Sequence, residues 1–212
     1  LTMASLATAA TRNAIKALLE RDDDLARDVE AEDNRIDDLE KELDELCITL
    51  LSRAPLASDL RMITVAMKIT HDLERVGDEA TAISRRAIQL NKEPQLKEYV
   101  DLPRMAQMAM EMLKEALDAF VDRDAERARA IIPRDKDVDA INKQLHRELA
   151  SYMIENPATI TRALNLIEVS KRVERVADHA TNIAEEVVFL LKGKDIRHTI
   201  DKRVQESDMK GE

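Results

Sequence analysis

The chain has 212 residues, of which 44% are apolar, 36% are charged and only 2% are aromatic, and its formal net charge is -10. Three glycines and few aromatic residues argue against a β-sheet, and the excess of acids excludes a protein that neutralises the phosphates of duplex nucleic acid. This composition is typical of a helix bundle, with enough chain for one large helical domain or two of about a hundred residues.

The sequence also indicates the compartment. A lone cysteine, Cys47, excludes an intramolecular disulfide and suits a reducing environment. No apolar run approaches the ~20 residues of a membrane span, and the residues after Leu1 lack the basic leader and apolar core of a signal peptide. We therefore expect a cytoplasmic protein that reaches a membrane only through partners. Its first helix is expected to be shortened at the N-terminus.

Apolar residues recur at three- and four-residue spacing along most of the chain, which predicts long amphipathic helices. A helix of ~30 residues is roughly 45 Å long, so we expect an elongated, all-α, up-down arrangement of six long helices. Their expected limits are residues 2–20, 23–53, 59–91, 104–122, 125–155 and 157–193. In the second helix the predicted core seam is Ile36, Leu39, Leu43, Leu46 and Leu50.

Several residues predict how these helices begin and bend. Asp22 and Ser58 are the expected N-caps of the second and third helices, because a short polar side chain there accepts a hydrogen bond from a free backbone N–H. Asn156 and Pro157 form a cap and first turn for the sixth helix. Pro133 lies inside the fifth helix, where it removes a backbone hydrogen bond and should kink or locally open that helix.

An internal repeat organises these helices. Residues 74–83, Glu-Arg-Val-Gly-Asp-Glu-Ala-Thr-Ala-Ile, return at 174–183 with seven of the ten positions identical. The linker between Asn91 and Pro103 separates the halves, so the sequence predicts two pseudo-symmetric three-helix bundles. The expected domains are residues 1–93 and 94–193, with a polar tail at 194–212.

Acidic pairs recur in register with this repeat. Each half carries an Asp-x-x-x-Asp on its second helix and a Glu-x-x-x-Asp on its third, and residues four apart share one helix face. Antiparallel packing of those helices would bring four carboxylates together, where they repel one another unless a cation neutralises them. The candidate metal ligands are Asp33, Asp37, Glu74 and Asp78 in the first half, and Asp135, Asp139, Glu174 and Asp178 in the second.

These acids also fit simpler roles. With 43 acids in the chain, a single pair is more often a solvated helix face or an ion-pair partner. Basic partners are available at Arg75, Lys171, Arg172 and Arg175. A ferritin-like di-iron oxidase is disfavoured because no histidine follows a glutamate by three residues. His71 and His179 are expected to be hydrogen-bonded polar residues, and all-oxygen ligation favours hard cations over zinc.

The sequence shows no motif for catalysis. Its glycines stand only at 77, 193 and 211, so a glycine-rich phosphate loop is excluded. No serine or cysteine lies in the context of a catalytic triad. We therefore expect a protein that is not an enzyme.

Several segments together resemble the PhoU family, the accessory proteins of the high-affinity phosphate transport system. The resemblance is carried by the two decapeptides, by Pro55-Leu56-Ala57-Ser58-Asp59-Leu60-Arg61 and by Gly193-Lys194-Asp195-Ile196-Arg197-His198, and it spans nearly all of the chain. It implies two pseudo-symmetric three-helix bundles. Some members bind multinuclear metal clusters through paired Glu/Asp-x-x-x-Asp motifs, which here are the eight carboxylates named above.

The resemblance implies iron as the metal, or otherwise manganese, magnesium or zinc. Because Pro133 lies two residues before Asp135, we expect metal binding to be weaker or absent in the second half. The implied function is that of an adaptor that represses phosphate-starvation signalling when phosphate is ample. It would link the transporter ATPase subunit PstB to the sensor histidine kinase PhoR, as a homodimer without a nucleic-acid partner.

Two other functions fit the same residues. One is a metal-binding or metal-storage helical bundle without a signalling partner. The other is a structural protein whose acids only keep it in solution.

Overall fold

The computed structural model describes residues 1–53 and 56–193, and within them the fold is all-α without a β-strand, as the composition predicts. The predicted tail at 194–212 lies outside the described residues. The helices are α1 (Thr2–Glu20), α2 (Asp23–Leu51), α3 (Ala57–Asn91), α4 (Asp101–Asp122), α5 (Ala125–Ile131), α6 (Asp135–Glu155) and α7 (Ile160–Lys192).

These helices form two three-helix bundles, as the repeat predicts. The first consists of α1, α2 and α3, and the second of α4, the broken α5–α6 helix and α7. The two bundles are joined mainly by α3 and α7, which pack on each other as extensively as on the helices of their own bundles. One continuous apolar core results. The exact domain limits at 1–93 and 94–193 stay a prediction.

The α3 and α7 helices run antiparallel. Lys68, in the first half of α3, pairs with Glu186 near the end of α7, with 2.9 Å between Nζ and Oε1. At the other end, Nε of Arg162 lies 3.3 Å from Oε2 of Glu93. This register places the two decapeptides against each other at the centre of the interface.

Gly77, in the first decapeptide, allows α2 to approach α3 closely. A Cβ atom at this position would lie 2.9 Å from Cδ1 of Ile36 and 3.2 Å from Oδ1 of Asp33. Ile36 is almost completely buried, so the side chain that faces Gly77 belongs to the core. Glycine at position 77 therefore helps to set the distance between the two helices that carry the acids of the first half.

The starts of α2 and α5 confirm the expected cap at Asp22 and reveal its equivalent in the repeat. The Asp22 carboxylate accepts hydrogen bonds from the backbone N–H groups of Asp24 and Leu25, at 3.0 and 2.9 Å. Asp124 caps α5 in the same way. The prediction for Ser58 was wrong: α3 begins at Ala57, so Ser58 lies in its first turn and its side chain accepts no capping hydrogen bond.

Pro133 breaks the predicted fifth helix, as expected. It lies in a 3-10 turn, Ile132–Arg134, between α5 and α6. The cause is the missing N–H of proline, which cannot donate to the carbonyl one turn earlier. The break makes Asp135 the first residue of α6, and it therefore places this carboxylate at a helix N-terminus.

The other predicted helix ends are correct within a few residues. Asn156 accepts a hydrogen bond from a backbone N–H of the turn that Pro157 opens before α7. At its other end α7 stops before Gly193, which has a φ of 65°, a conformation that favours glycine. The α4 helix begins earlier than predicted, at Asp101, because Pro103 fits in a first turn, where its missing N–H costs no helical hydrogen bond.

The predicted core seam of α2 is right only in its first part. Ile36 is buried and Leu43 packs against the core, but Leu46 and Leu50 are 53% and 37% exposed. That seam repeats every seven residues, whereas a straight α-helix drifts by about 20° per heptad. Near the end of α2 the core-facing position has therefore passed to Cys47, which is buried.

The long helices carry charged residues along much of their length. Within residues 1–53 and 56–193, none of them is both long and apolar enough to cross a bilayer. The expected cytoplasmic location stays a prediction.

We predict that the two aspartate caps stabilise the fold to a similar extent. Asp22→Ala and Asp124→Ala should each lower the free energy of unfolding by about 1 kcal/mol, because each leaves backbone N–H groups of a first turn without an acceptor. Urea denaturation of the purified protein measures this. Asp28→Ala, on the exposed face of α2, is the matched control and should change stability little. Loss of stability in the control equal to that in the cap variants would contradict the assignment.

Candidate metal centres

The first cluster consists of Asp33 and Asp37 on α2 with Glu74 and Asp78 on α3. Burial and the charges of Asp37 and Asp78 raise the pKa of Asp33, so carboxylates from the two helices lie close together. Burial and Asp78 also raise the pKa of Glu74. The structure thus brings these predicted residues together. Their role as metal ligands stays a prediction.

Arg75 supplies positive charge to the first cluster. Its Nε lies 3.3 Å from Oε2 of Glu74, and its Nη1 lies 3.0 Å from Oδ2 of Asp78. Arg85, which pairs with Glu30 on α2 at 3.0 Å, opposes by its charge the rise that burial causes in the pKa of Asp33. The protein itself therefore neutralises part of the first cluster, as expected if these acids are ion-pair partners.

A histidine lies at the edge of the first cluster. Nδ1 of His71 is 3.3 Å from Oε1 of Glu40, so His71 has the polar partner that the sequence predicts. One donor atom from each of Glu40, His71 and Glu74 also lies within 4.8 Å of the other two, and no other such group of three exists among the described residues. Neither Glu40 nor His71 is among the ligands predicted from the sequence. The available signal was the position of Glu40, close to one turn after Asp37 on α2.

An open groove of about 520 Å³ lies beside this histidine, where α2, α3 and α7 meet. Its lining includes Glu40 and His71, together with Lys68 and Glu186 from the interface of the two bundles. The donor atoms of His71 are therefore accessible to a ligand from solvent.

The second cluster consists of Asp135 and Asp139 on α6 with Glu174 and Asp178 on α7. Burial and the charges of Asp178, Asp139 and Glu174 raise the pKa of Asp135 from 3.8 to about 6. Burial and Asp139 raise the pKa of Asp178, and burial is the main cause of the raised pKa of Glu174. The charges of Asp135 and of the other three predicted residues therefore act on one another across the 3-10 turn at Pro133. Among the described residues, however, no three donor atoms of this cluster lie within 4.8 Å of one another.

Charge compensation differs in the second cluster. Among the described residues, Lys143 forms an ion pair with this cluster: its Nζ lies 3.6 Å from Oδ2 of Asp139, and its side chain is largely exposed. Against burial and Asp139, the charges of His179 and Arg175 lower the pKa of Asp178. Beyond burial and its cluster neighbours, the charge of Glu185 adds to the rise in the pKa of Asp135. Oδ1 of Asp135 is buried without a hydrogen-bond partner. Such an atom, in a set of four carboxylates, matches the oxygen donors that hard cations prefer.

Arg175, the repeat equivalent of Arg75, makes its ion pair across the interface of the bundles. Its Nη1 lies 3.3 Å from Oε1 of Glu79, and Nη1 of Arg172 lies 3.1 Å from Oε2 of the same carboxylate. The Glu79 side chain is only 7% exposed. This residue is not among those predicted from the sequence, although it is one of the three decapeptide positions at which the copies differ.

His179 occupies the position in the second decapeptide that Glu79 occupies in the first. Its Nδ1 lies 2.8 Å from Oδ1 of Asp72 on α3, and the amide of Asn182 donates to the same oxygen at 3.3 Å. This contact confirms the expectation that His179 is a hydrogen-bonded polar residue.

Fold and clusters together define a class: a duplicated helix-bundle protein with a carboxylate cluster between the second and third helices of each half. A comparison with family models identifies the family. The model described as the PhoU domain matches residues 1–87 and 102–187. The chain therefore belongs to the PhoU family, as the sequence resemblance predicts.

Known proteins of this family are similar over nearly the whole chain. A phosphate-specific transport system accessory protein PhoU homolog from Pseudomonas aeruginosa is 42% identical over 200 residues, which cover 93% of this chain and 83% of that protein. The homolog from Aquifex aeolicus is 40% identical, with coverages of 92% and 89%.

Solved structures agree with this assignment. The crystal structure of PhoU from Pseudomonas aeruginosa superposes with a TM-score of 0.89 at 42% identity, over 92% of this chain and 94% of that one. The phosphate transport system regulatory protein PhoU from Streptococcus pneumoniae gives a TM-score of 0.86 at 29% identity, over 92% of each chain.

We predict that Asp135→Asn changes how stability depends on pH. The folded pKa of Asp135, about 6, lies above its ordinary value of 3.8, so this group favours the folded state below pH ~4, and that contribution is lost as the pH rises through ~6. Relative to wild type, the metal-free variant should therefore gain stability between pH 4 and 7. The gain should be on the order of 1 kcal/mol after screening of a half-exposed group.

Thermal melts in the presence of a chelator measure this difference. Asp137→Asn, an exposed aspartate in the same turn of α6, is the matched control and should show the wild-type pH profile. A constant stability difference between Asp135→Asn and wild type from pH 4 to 7 would contradict the prediction.

Proposed function

We propose that this protein regulates phosphate uptake and phosphate-starvation signalling. The observation that carries the proposal is the family match to both halves of the chain, at residues 1–87 and 102–187. It is supported by relatives, 42% identical, that are named accessory proteins of the phosphate-specific transport system. A regulator needs binding surfaces rather than catalytic groups, and the long helices offer such surfaces. That the chain is not an enzyme stays a prediction.

In its finer form, the proposal is an adaptor that represses the phosphate regulon when phosphate is ample. It would do so by linking the ATPase subunit PstB of the transporter to the sensor histidine kinase PhoR, as a dimer. These partners rest on family resemblance. The alternative is metal storage without a signalling partner, and the only observation in its favour is the pair of carboxylate clusters.

We predict that loss of the protein releases the starvation response. A strain without its gene should express a phosphate-starvation promoter reporter at high phosphate, and the full chain supplied in trans should restore repression. Reporter activity and total cellular metal are measured in the same cultures, with an empty vector as the control. Unchanged reporter activity together with lower cellular metal would favour storage and contradict the adaptor.

We also propose that the two clusters bind cations. The residues present fit this role, because each cluster contains four carboxylates, and in the second cluster a buried carboxylate oxygen, Oδ1 of Asp135, has no hydrogen-bond partner. In the first cluster, Oε2 of Glu74 is buried without a hydrogen bond but forms an ion pair with Arg75 at 3.3 Å. A bound divalent or trivalent cation would supply positive charge to groups that repel one another. In the first half, Glu40 and His71 would join the ligands, since their donor atoms lie within 4.8 Å of Glu74. A nitrogen donor there fits iron, manganese or zinc better than magnesium.

We predict that His71 contributes to cation binding in the first half. His71→Gln should reduce the rise in melting temperature that Mn²⁺ causes, because stabilisation by a ligand grows with its affinity for the folded state. Melts with and without Mn²⁺ measure this shift. His146→Gln is the control, since His146 contacts Ser170 and neither cluster. A shift in His71→Gln equal to that of wild type would show that His71 is not a ligand.

A further inference from the structure

The internal repeat continues past α7. Lys92, Leu96, Lys97, Val100 and Asp101, in and next to the linker, recur as Lys192, Ile196, Arg197, Ile200 and Asp201, at the same offset of 100 as the decapeptides. Two of these residues are identical and three are conservative replacements. Residues 194–201 therefore correspond in sequence to the linker. They lie outside the described residues, but the linker itself is described, and its contacts show what this sequence pattern binds.

The linker packs across the end of the second bundle. Leu96 and Tyr99 pack against the core, and Lys97 forms an ion pair with Glu148 on α6. The Lys97 side chain is only 11% exposed. The linker thus covers this end of the bundle with apolar side chains and a basic one.

Two arginines hold the start of the linker. Arg21, at the end of α1, donates from Nη2 to the backbone carbonyls of Asn91 and Glu93, each at 2.7 Å. Arg162, near the start of α7, donates from Nη1 to the carbonyl of Pro94 at 3.0 Å. These bonds fix the direction in which the chain leaves α3, so that it runs towards the second bundle.

The repeat places an equivalent arginine where the chain leaves α7. Arg123, which corresponds to Arg21 at an offset of 102, has a φ of 54°. Among the described residues other than glycine, only these two arginines have a positive φ, a conformation that is uncommon for a residue with a side chain. Arg123 and Lys192 line an open groove of about 410 Å³ at the end of α7. The shared conformation favours a shared role, namely binding the carbonyls of the segment that follows.

A second arginine lies beside the same point. Arg61, near the start of α3, is one position before the repeat equivalent of Arg162. Its Nη1 is 3.2 Å from the position that a Cβ atom of Gly193 would occupy, and its Cζ lies 5.8 Å from the ring centroid of Phe189. The end of α7 is therefore in contact with the first bundle through an arginine, as the linker is with the second.

The end of the first bundle has an exposed surface that fits this segment. Leu46, the repeat equivalent of Glu148, is 53% exposed, and Leu50, one turn later, is 37% exposed. Glu42 and Glu45 lie beside these leucines on α2 and are also exposed. Apolar side chains next to acids match a segment that carries isoleucines and basic residues.

We propose that residues 194–201 bind to the end of the first bundle as the linker binds to the end of the second. Their two isoleucines cover the exposed leucines of α2, and Arg197 pairs with the acids beside them, as Lys97 pairs with α6. The inference goes beyond the proposed function and does not rest on it or on cation binding. A partner protein can reach these leucines only after the segment has left them.

Disulfide formation in the full chain tests this position. In a Cys47→Ala background, Leu46→Cys with Ile196→Cys should form an intramolecular disulfide under mild oxidation, because the two Cα atoms must come within about 7 Å. Mass spectrometry of the non-reduced peptides measures it. Ile154→Cys with Ile196→Cys is the matched control, since Ile154 is exposed near the end of α6, and it should stay unlinked. No link at position 46, or equal linking at positions 46 and 154, would overturn the inference.

The native thiol provides a second readout without new cysteines. Cys47 is buried next to Leu46, so a thiol reagent labels it when this end of α2 opens. Arg197→Glu should raise the labelling rate about fivefold, because it puts a negative charge beside the acids of α2. Lys202→Glu, the same change of charge outside the repeated residues, is the control and should label at the wild-type rate. Equal rates in the two variants would contradict the proposed contact.

Discussion

The antiparallel packing of α3 on α7 is the interaction on which the rest of this molecule depends. It joins the two bundles through pairs of acidic and basic side chains. Where α3 has an acid in one of these pairs, α7 has a base at the equivalent position of the repeat, and the reverse also holds. On α3 the central side chains are acidic and the outer ones basic, and on α7 the order is reversed. Each of these α3 side chains thus faces a side chain of the opposite type on α7, and Asp72 faces a positive charge when His179 is protonated. The two inner pairs, which the repeat relates to each other, are Glu79 with Arg172 and Asp72 with His179. The two outer pairs, related in the same way, are Lys68 with Glu186 and Arg86 near Glu168.

This reversal makes the interface specific for two different halves. If α3 packed in the same way on a second α3, Glu79 would face Asp72 and Lys68 would face Arg86. Like charges in a partly buried interface cost free energy because water no longer screens them. The α7 face would likewise oppose Glu186 to Glu168. A symmetric backbone therefore carries an asymmetric charge pattern, so identical motifs in the two halves lie in different electrostatic surroundings.

Much of this structure could be predicted from the sequence, and the failures have identifiable causes. Helix limits, the break at Pro133 and the two clusters follow from local periodicity, from proline chemistry and from the repeat. The partner of an arginine does not, because Arg175 has acids on its own helix and one across the interface, 96 positions away in the chain. Local spacing also gives no warning that the seam of α2 drifts from Leu46 to Cys47, since that depends on how straight the helix is.

The clusters and the interface are not independent parts of the molecule. Asp178 belongs to the second cluster, and burial and the charge of Asp139 raise its pKa. The charge of Glu79, in the other bundle, also raises this pKa, whereas the charges of His179 and Arg175 lower it. Those three side chains also hold α3 against α7. A change of charge in the second cluster therefore acts directly on the residues that join the bundles. If the second cluster binds a cation, as proposed, that contact is a route by which the ion would alter how the two halves are held.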